Sequence, residues 1–110
     1  DEINIDLDLC LQVFENLLSN SIRYAKNKIF VYINTNGNWL EITIKDDGKG
    51  FSSKALALGV NPFYRDENEQ NGTHFGLGLY ICKIICEKCG GELFLSNENG
   101  AKVFAKFFLK

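Results

Sequence analysis

Between Asp6 and Lys45 the hydrophobic period changes once, from that of a helix to that of a strand, with only a short turn between the two regimes. Leu7 to Ala25 is predicted as an amphipathic helix with Asp6 as its N-cap, placing Cys10, Leu11, Phe14, Leu17, Leu18, Ile22 and Ala25 on one broad face. From Lys28 to Thr35 the pattern alternates, with Ile29, Val31 and Ile33 on one side and Phe30 and Tyr32 on the other. Asn36-Gly37 is a strong hairpin turn, since both residues accept positive φ. Leu40, Ile42 and Ile44 continue as the return strand, opposite Glu41, Thr43 and Lys45. A helix that runs straight into a hairpin buries its apolar face against that hairpin, so the chain is confined to a layered arrangement of helices on a sheet.

The remaining segments fit the same plan. Asp46-Asp47-Gly48-Lys49-Gly50 is predicted as a loop at the strand's end, followed by a short helix near Lys54–Leu58 and a polar stretch to Gln70. A second long helix runs from Leu79 to Lys88 and stops at Gly90-Gly91. Glu92–Ser96 and Lys102–Leu109 form a last hairpin around Asn99-Gly100. The expected fold class is α/β (α+β), a two-layer α/β sandwich on a mostly antiparallel or mixed sheet. At 110 residues and 45% hydrophobic content the chain supports one core and no repeats or linkers. Nine Phe, four Tyr and one Trp exclude disorder. A formal net charge of −2 gives no support for nucleic-acid binding or a polybasic membrane anchor. No apolar run has the length of a membrane span, and the first residues lack a signal-peptide layout. The four cysteines are read as reduced thiols of a cytoplasmic domain, with no disulfide framework.

Three groups of residues could carry chemistry. Asn16, Asn20 and Arg23 recur at spacings of four and three on the first helix, on the face expected to be polar. Asn is a poor helix former, and its amide oxygen is a suitable donor for Mg²⁺, although a solvated face explains the spacing as well. In Asp47-Gly48-Lys49-Gly50 a carboxylate could accept from an exocyclic amine, and the glycines allow backbone to approach a flat ring; a plain turn is the other reading. Gly72, Gly76 and Gly78 lead into the second long helix, where unpaired N–H groups and the helix dipole favour a phosphate. This run is neither a Walker A loop nor a dinucleotide fingerprint.

In order and spacing these groups resemble the boxes of the ATP-binding catalytic domain of bacterial sensor histidine kinases, within the group that includes gyrase, mismatch-repair and heat-shock-chaperone ATPases. Residues Gln12 to Ala25 resemble the asparagine box. Asp47-Gly48-Lys49-Gly50-Phe51 is similar to the first glycine box, Asp-x-Gly-x-Gly. Asn61-Pro62-Phe63-Tyr64-Arg65 resembles the phenylalanine box. Gly76-Leu77-Gly78-Leu79 with Tyr80-Ile81 resembles the second glycine box. The resemblance covers essentially the whole chain and implies residues 1–110 are a catalytic and ATP-binding domain excised from a longer protein, with a mixed sheet on about three helices and a mobile ATP lid between Phe51 and Gly76.

The resemblance further implies ATP and Mg²⁺ as cofactors. Asn20 would be the metal ligand, Asn16 would help position metal or phosphates, and Arg23 would lie near the phosphates. Tyr24 would sit beside the adenine, Asp47 would bind its amine, and Gly48, Gly50 and Phe51 would shape that pocket. Thr73, His74, Gly76, Leu77, Gly78 and Leu79 would wrap the nucleotide, and Arg65 would neutralise γ-phosphate charge. Position 16 is an Asn where hydrolysing relatives carry a general-base Glu, so phosphoryl transfer is expected rather than fast hydrolysis. The acceptor would be a histidine on a separate dimerisation domain, with a response regulator downstream. His74 is read as a lid residue, not the acceptor. The domain would be cytoplasmic, and the parent in many family members is anchored in the membrane.

Competing readings are a serine kinase of the anti-sigma-factor type, an ATPase of the same superfamily, and a nucleotide-binding module without catalysis. Cys82, Cys86 and Cys89 reproduce the spacing of an iron–sulfur radical-enzyme motif. On a helix, however, spacings of four and three put the thiols on one face beside Leu79 and Ile85, where Cys acts as a small core hydrophobe.

Overall fold

The computed structural model describes residues 6–58, 61 and 75–109, with the backbone alone at 75–77. Asp6 opens the first helix as expected, its Oδ1 accepting from the Leu9 N–H at 3.2 Å. Helix α1 covers Leu7–Tyr24, and Ala25 is its C-cap, donating to the Ser21 carbonyl at 2.8 Å. The face it buries is narrower than predicted. Cys10, Val13, Leu17 and Ser21 form the buried stripe, whereas Leu11 and Ile22 are 48% and 63% exposed. The true seam runs at spacings of three, four and four, and residues 11 and 22 lie about a quarter-turn or more from it.

Strands β1 (Ile29–Asn36) and β2 (Trp39–Asp46) form the first hairpin. Helix α2 spans Ser53–Leu58 and helix α3 Phe75–Lys88, the latter beginning four residues earlier than its hydrophobic pattern indicates and taking in Gly76 and Gly78. Strands β3 (Glu92–Asn97) and β4 (Ala101–Phe108) close the chain as the second hairpin. The four described strands lie in the order β1-β2-β4-β3, and each pairing among them is antiparallel. The expectation of a mixed sheet is corrected for these strands: two hairpins meet through their second strands, which run in opposite directions.

One face of the sheet is covered by α1 over β2 and β4 and by α3 over β3 and β4, with the two helices packed together. The core lies between the layers. Val13 and Leu17 of α1, Ile42 and Ile44 of β2, Leu79, Cys82 and Cys86 of α3, and Val103, Ala105 and Phe107 of β4 are all buried. Burying a side chain such as Phe107 contributes about 1.5–3 kcal/mol. β1 lies at the edge, where the helix layer leaves Val31 and Ile33 largely exposed. The cysteines are free thiols: Cys82 and Cys86 of α3 join the core cluster, and Cys89, one residue past the helix, packs half-buried against it. Burial pushes Cys82 and Cys86 up to about 12 and Cys10 up to about 11.

Candidate functional site

Strand β2 alternates its side chains between the faces of the sheet, so Ile42, Ile44 and residue 46 point toward the helices. The strand extends one residue further than predicted, and that residue is Asp46. Its side chain is 3% exposed, a buried carboxylate at the open end of the core. Oδ1 accepts from the Gly48 N–H at 2.8 Å and the Ala101 N–H at 3.4 Å. Burial of such a group is tolerated only where donors meet it, and here they come from backbone on two sides.

Asp47 points the other way. Its Oδ1 accepts from the Lys26 N–H at 2.8 Å and the Asn27 N–H at 3.0 Å, and Oδ2 accepts from Asn27 at 3.1 Å. The Asp47 N–H donates in turn to the Lys28 carbonyl at 3.2 Å. Hydrogen bonds from the backbone of Asn27, then Lys28 and Lys26, hold this carboxyl below the usual range. Asp47 was expected to read an adenine amine. The geometry instead makes it the cap of the α1–β1 connection, and the carboxylate buried against the helix layer is its neighbour. The spacing Asp-x-Gly-x-Gly, counted back from Gly48 and Gly50, also falls on Asp46.

The glycines of this loop are required where they stand. A Cβ at Gly48 would fall on the Tyr24 carbonyl, so the loop touches the last turn of α1 only because position 48 has no side chain. Gly50 has φ +83°, a left-handed conformation that favours glycine. Phe51 is then gripped by Asn97 from the end of β3, whose Oδ1 accepts from the Phe51 N–H at 2.8 Å while its Nδ2 donates to the Phe51 carbonyl at 2.9 Å. Neither Asp46 nor Asn97 was among the sequence-predicted site residues.

On α1, Asn16, Asn20 and Tyr24 form a single row at successive four-residue intervals, all half-buried along the flank of the core stripe. The asparagines do not lie on the fully solvated face that their spacing suggested. The row is about 12 Å long at the rise of an α-helix. Its Tyr24 end meets Gly48. Near its other end Asn16 lies beside the Cys82 thiol, whose Sγ donates to the Val13 carbonyl at 3.9 Å. Cys82 lies against Val13 and Cys86 lies near Cys10, so α1 and α3 run antiparallel. That register carries the first turn of α3 toward the turn of α1 containing Asn20. A Cβ at Gly78 would meet no described atom within 4 Å. The N–H groups of a helix's first turn lack intrahelical partners and favour anions.

Arg23 is exposed on α1. Leu79 is 1% exposed and belongs to the core, so it supports α3 from beneath rather than offering a surface to a ligand. Arg65, Thr73 and His74 lie outside the described residues, and of Gly76 and Leu77 the backbone alone is described. The phenylalanine box is outside them as well, apart from Asn61. Among the described residues no helix is long and apolar enough to cross a membrane.

The candidate site therefore brings together a buried acid beside a glycine loop, the Asn16–Asn20–Tyr24 row and the first turn of α3. Residues 5–110 match the family described as histidine kinase-, DNA gyrase B-, and HSP90-like ATPases, and the chain belongs to that family. It corresponds to the catalytic domain of sensor histidine kinases. The heme sensor protein HssS of Staphylococcus saprophyticus is 35% identical over 92 residues, which is 82% of this chain and 20% of that protein. The chain thus spans about a fifth of the length of this curated relative. The mycobacterial sensor histidine kinase MprB superposes with a TM-score of 0.79 over 98% of this chain and 77% of its own, at 20% identity. Full-length ShkA, solved in complex with AMPPNP, superposes with a TM-score of 0.74 over 96% of this chain and 22% of its own, at 21% identity.

Proposed function

We propose that this domain binds ATP·Mg²⁺ and transfers the γ-phosphoryl group to a histidine on a separate dimerisation domain of the same polypeptide, within a two-component pathway that ends on a response regulator. The observation that carries the reading is the buried Asp46 carboxylate at the end of β2, next to a glycine loop that touches α1. A carboxylate is an acceptor-only group and suits the exocyclic amine of adenine. Asp46 takes the role that the resemblance suggested for Asp47. Gly48, Gly50 and Phe51 form the wall of the base pocket, with Tyr24 at its α1 side.

From there the nucleotide would follow the Asn16–Asn20–Tyr24 row toward the first turn of α3. The residues fit a magnesium nucleotide: the Asn20 amide oxygen is a hard donor beside helix N–H groups that favour phosphate. Asn20 would hold the metal, Asn16 would position it or the phosphates, and Arg23 and Arg65 would add positive charge. Thr73, His74, Gly76, Leu77 and Gly78 would wrap the phosphates. Bound Mg²⁺ supplies charge neutralisation at the phosphates. The protein's own contribution is alignment and oriented N–H dipoles, which suffice for a reaction with little covalent chemistry for the enzyme to perform.

Position 16 favours transfer over hydrolysis. An amide cannot usefully take a proton from water, so Asn16 does not serve as a general base. The domain would be the cytoplasmic part of a membrane-anchored sensor. Incubation with γ-labelled ATP is the test. The chain alone should stay unlabelled, and adding its parent's dimerisation domain should give acid-labile phosphohistidine there. Rapid phosphate release without transfer would favour an ATPase instead.

A further inference from the structure

The β2–β4 ladder ends at Lys45↔Lys102 and the β3–β4 ladder ends at Asn97↔Ala101. The segment from Asp46 to Phe51 therefore leaves the sheet without a strand beside it on the β4 side. The turn of the second hairpin takes over this work. At one end Gly100, with φ +137°, packs so closely that a Cβ would fall on the Asp46 carbonyl, and the Ala101 N–H reaches Asp46 Oδ1 at 3.4 Å. At the other end the Asn97 carboxamide makes both hydrogen bonds to the Phe51 backbone. Glu98 ties the same turn to β2 and β4, with Lys45 Nζ at 2.7 Å and Lys102 Nζ at 3.1 Å.

We propose that Asn97 is a positioning residue that sets adenine specificity by fixing the Gly50–Phe51 wall against Asp46. The inference rests on the ATP-binding reading above. A carboxamide carries an N–H donor and a carbonyl acceptor in one plane, so it imitates the peptide unit of a missing strand and completes a two-bond rung with Phe51. Asp at this position would keep the acceptor for the Phe51 N–H but lose the donor to its carbonyl, and Ala would lose both. Gly50 packs directly against the same carboxamide: a Cβ there would lie 2.8 Å from Asn97 Oδ1. With the clamp gone, the Gly50–Phe51 peptide units can turn, and the distance from that wall to the Asp46 carboxylate is no longer fixed.

The experiment measures ATP and GTP affinities of the 110-residue chain by calorimetry, with a melting curve for each variant. Asn97→Ala should weaken ATP by about tenfold, as expected for two lost hydrogen bonds, and Asn97→Asp by less. GTP binding should change little, so the ATP:GTP preference falls with the ATP affinity. Glu98→Gln loosens the same turn and should lower the melting temperature without changing that preference. A purely structural Asn97 would lower the melting temperature and leave both affinity and preference unchanged, which would overturn the proposal. If Asn97→Ala does not fold, Asn97→Asp alone decides, by the same two readings. A wild-type chain that binds no adenine nucleotide defeats the ATP-binding reading itself, whereas normal wild-type binding with unaltered Asn97 variants defeats only the role of Asn97.

Discussion

Asp46 and Asp47 are neighbours in the chain, yet their carboxylates meet different stretches of backbone. Asp46 is buried toward the helices and bonded by Gly48 and Ala101, while Asp47 caps the Lys26–Asn27 backbone at the α1–β1 connection. Asp46 is the carboxylate proposed to bind and Asp47 the one that caps the chain, so the two should respond differently to substitution.

For Asp47 the folded-state pKa lies below the ordinary 3.8. A depressed carboxyl contributes stability that is present above the unfolded value and is lost as pH falls through the folded one. Asp47→Asn should therefore lower the melting temperature at neutral pH, and the gap to wild type should close as pH drops below about 4. Melting curves from pH 7 to pH 2 check this. A gap that stays constant to pH 2 would remove the capping role.

Two glycines offer a contrast between space the fold requires and space where phosphate is proposed to bind. Gly48→Ala drives a Cβ into the Tyr24 carbonyl and should destabilise the fold by about 1–3 kcal/mol. Gly78→Ala adds a methyl that meets no described atom within 4 Å and should stabilise the helix by up to about 1 kcal/mol. The same methyl group would stand where phosphate is proposed to bind, so ATP affinity should fall while the melting temperature rises. Chemical denaturation paired with nucleotide titration reads both.

Asn20→Ala should leave the fold intact, because the side chain is only half-buried and flanks the core stripe. It should reduce the dependence of ATP binding on magnesium severalfold. Calorimetric titrations with ATP at several Mg²⁺ concentrations measure this, and a dependence identical to wild type would count against a metal role.

Thiol chemistry should follow burial. With Cys82 and Cys86 pushed up to about 12 by desolvation, their thiolate fraction at pH 8 is minute. Iodoacetamide should label half-buried Cys89 first and leave Cys82 and Cys86 untouched until denaturant is added, as peptide mapping would show. Rapid native-state labelling of Cys82 would contradict the packing of α1 on α3.

Much of this was legible from pattern alone. The limits of α1 followed from its N-cap and its period, and Asn36-Gly37 and Asn99-Gly100 marked both hairpins. The breadth of the α1 face was overestimated because Leu11 and Ile22 are apolar without being buried, and only the partner helix and strands decide which apolar flank is covered. The Asp46 assignment was within reach: Leu40, Ile42 and Ile44 set a parity that residue 46 continues, and the glycine-box spacing falls on the same residue. Asn97 was not, because its contact with Phe51 joins segments 46 residues apart through an exposed amide that carries no periodic signal.

Asp46 is proposed to read the base of a bound adenine nucleotide. Isothermal titration of ATP into Asp46→Asn and Asp47→Asn, beside wild type, tests it most directly. Replacing a carboxylate acceptor with an isosteric amide removes a charge-assisted bond to the amine, so Asp46→Asn should weaken ATP by at least about tenfold with the fold retained, and Asp47→Asn should stay within about twofold of wild type. Unchanged affinity in Asp46→Asn, or a loss confined to Asp47→Asn, would contradict the account.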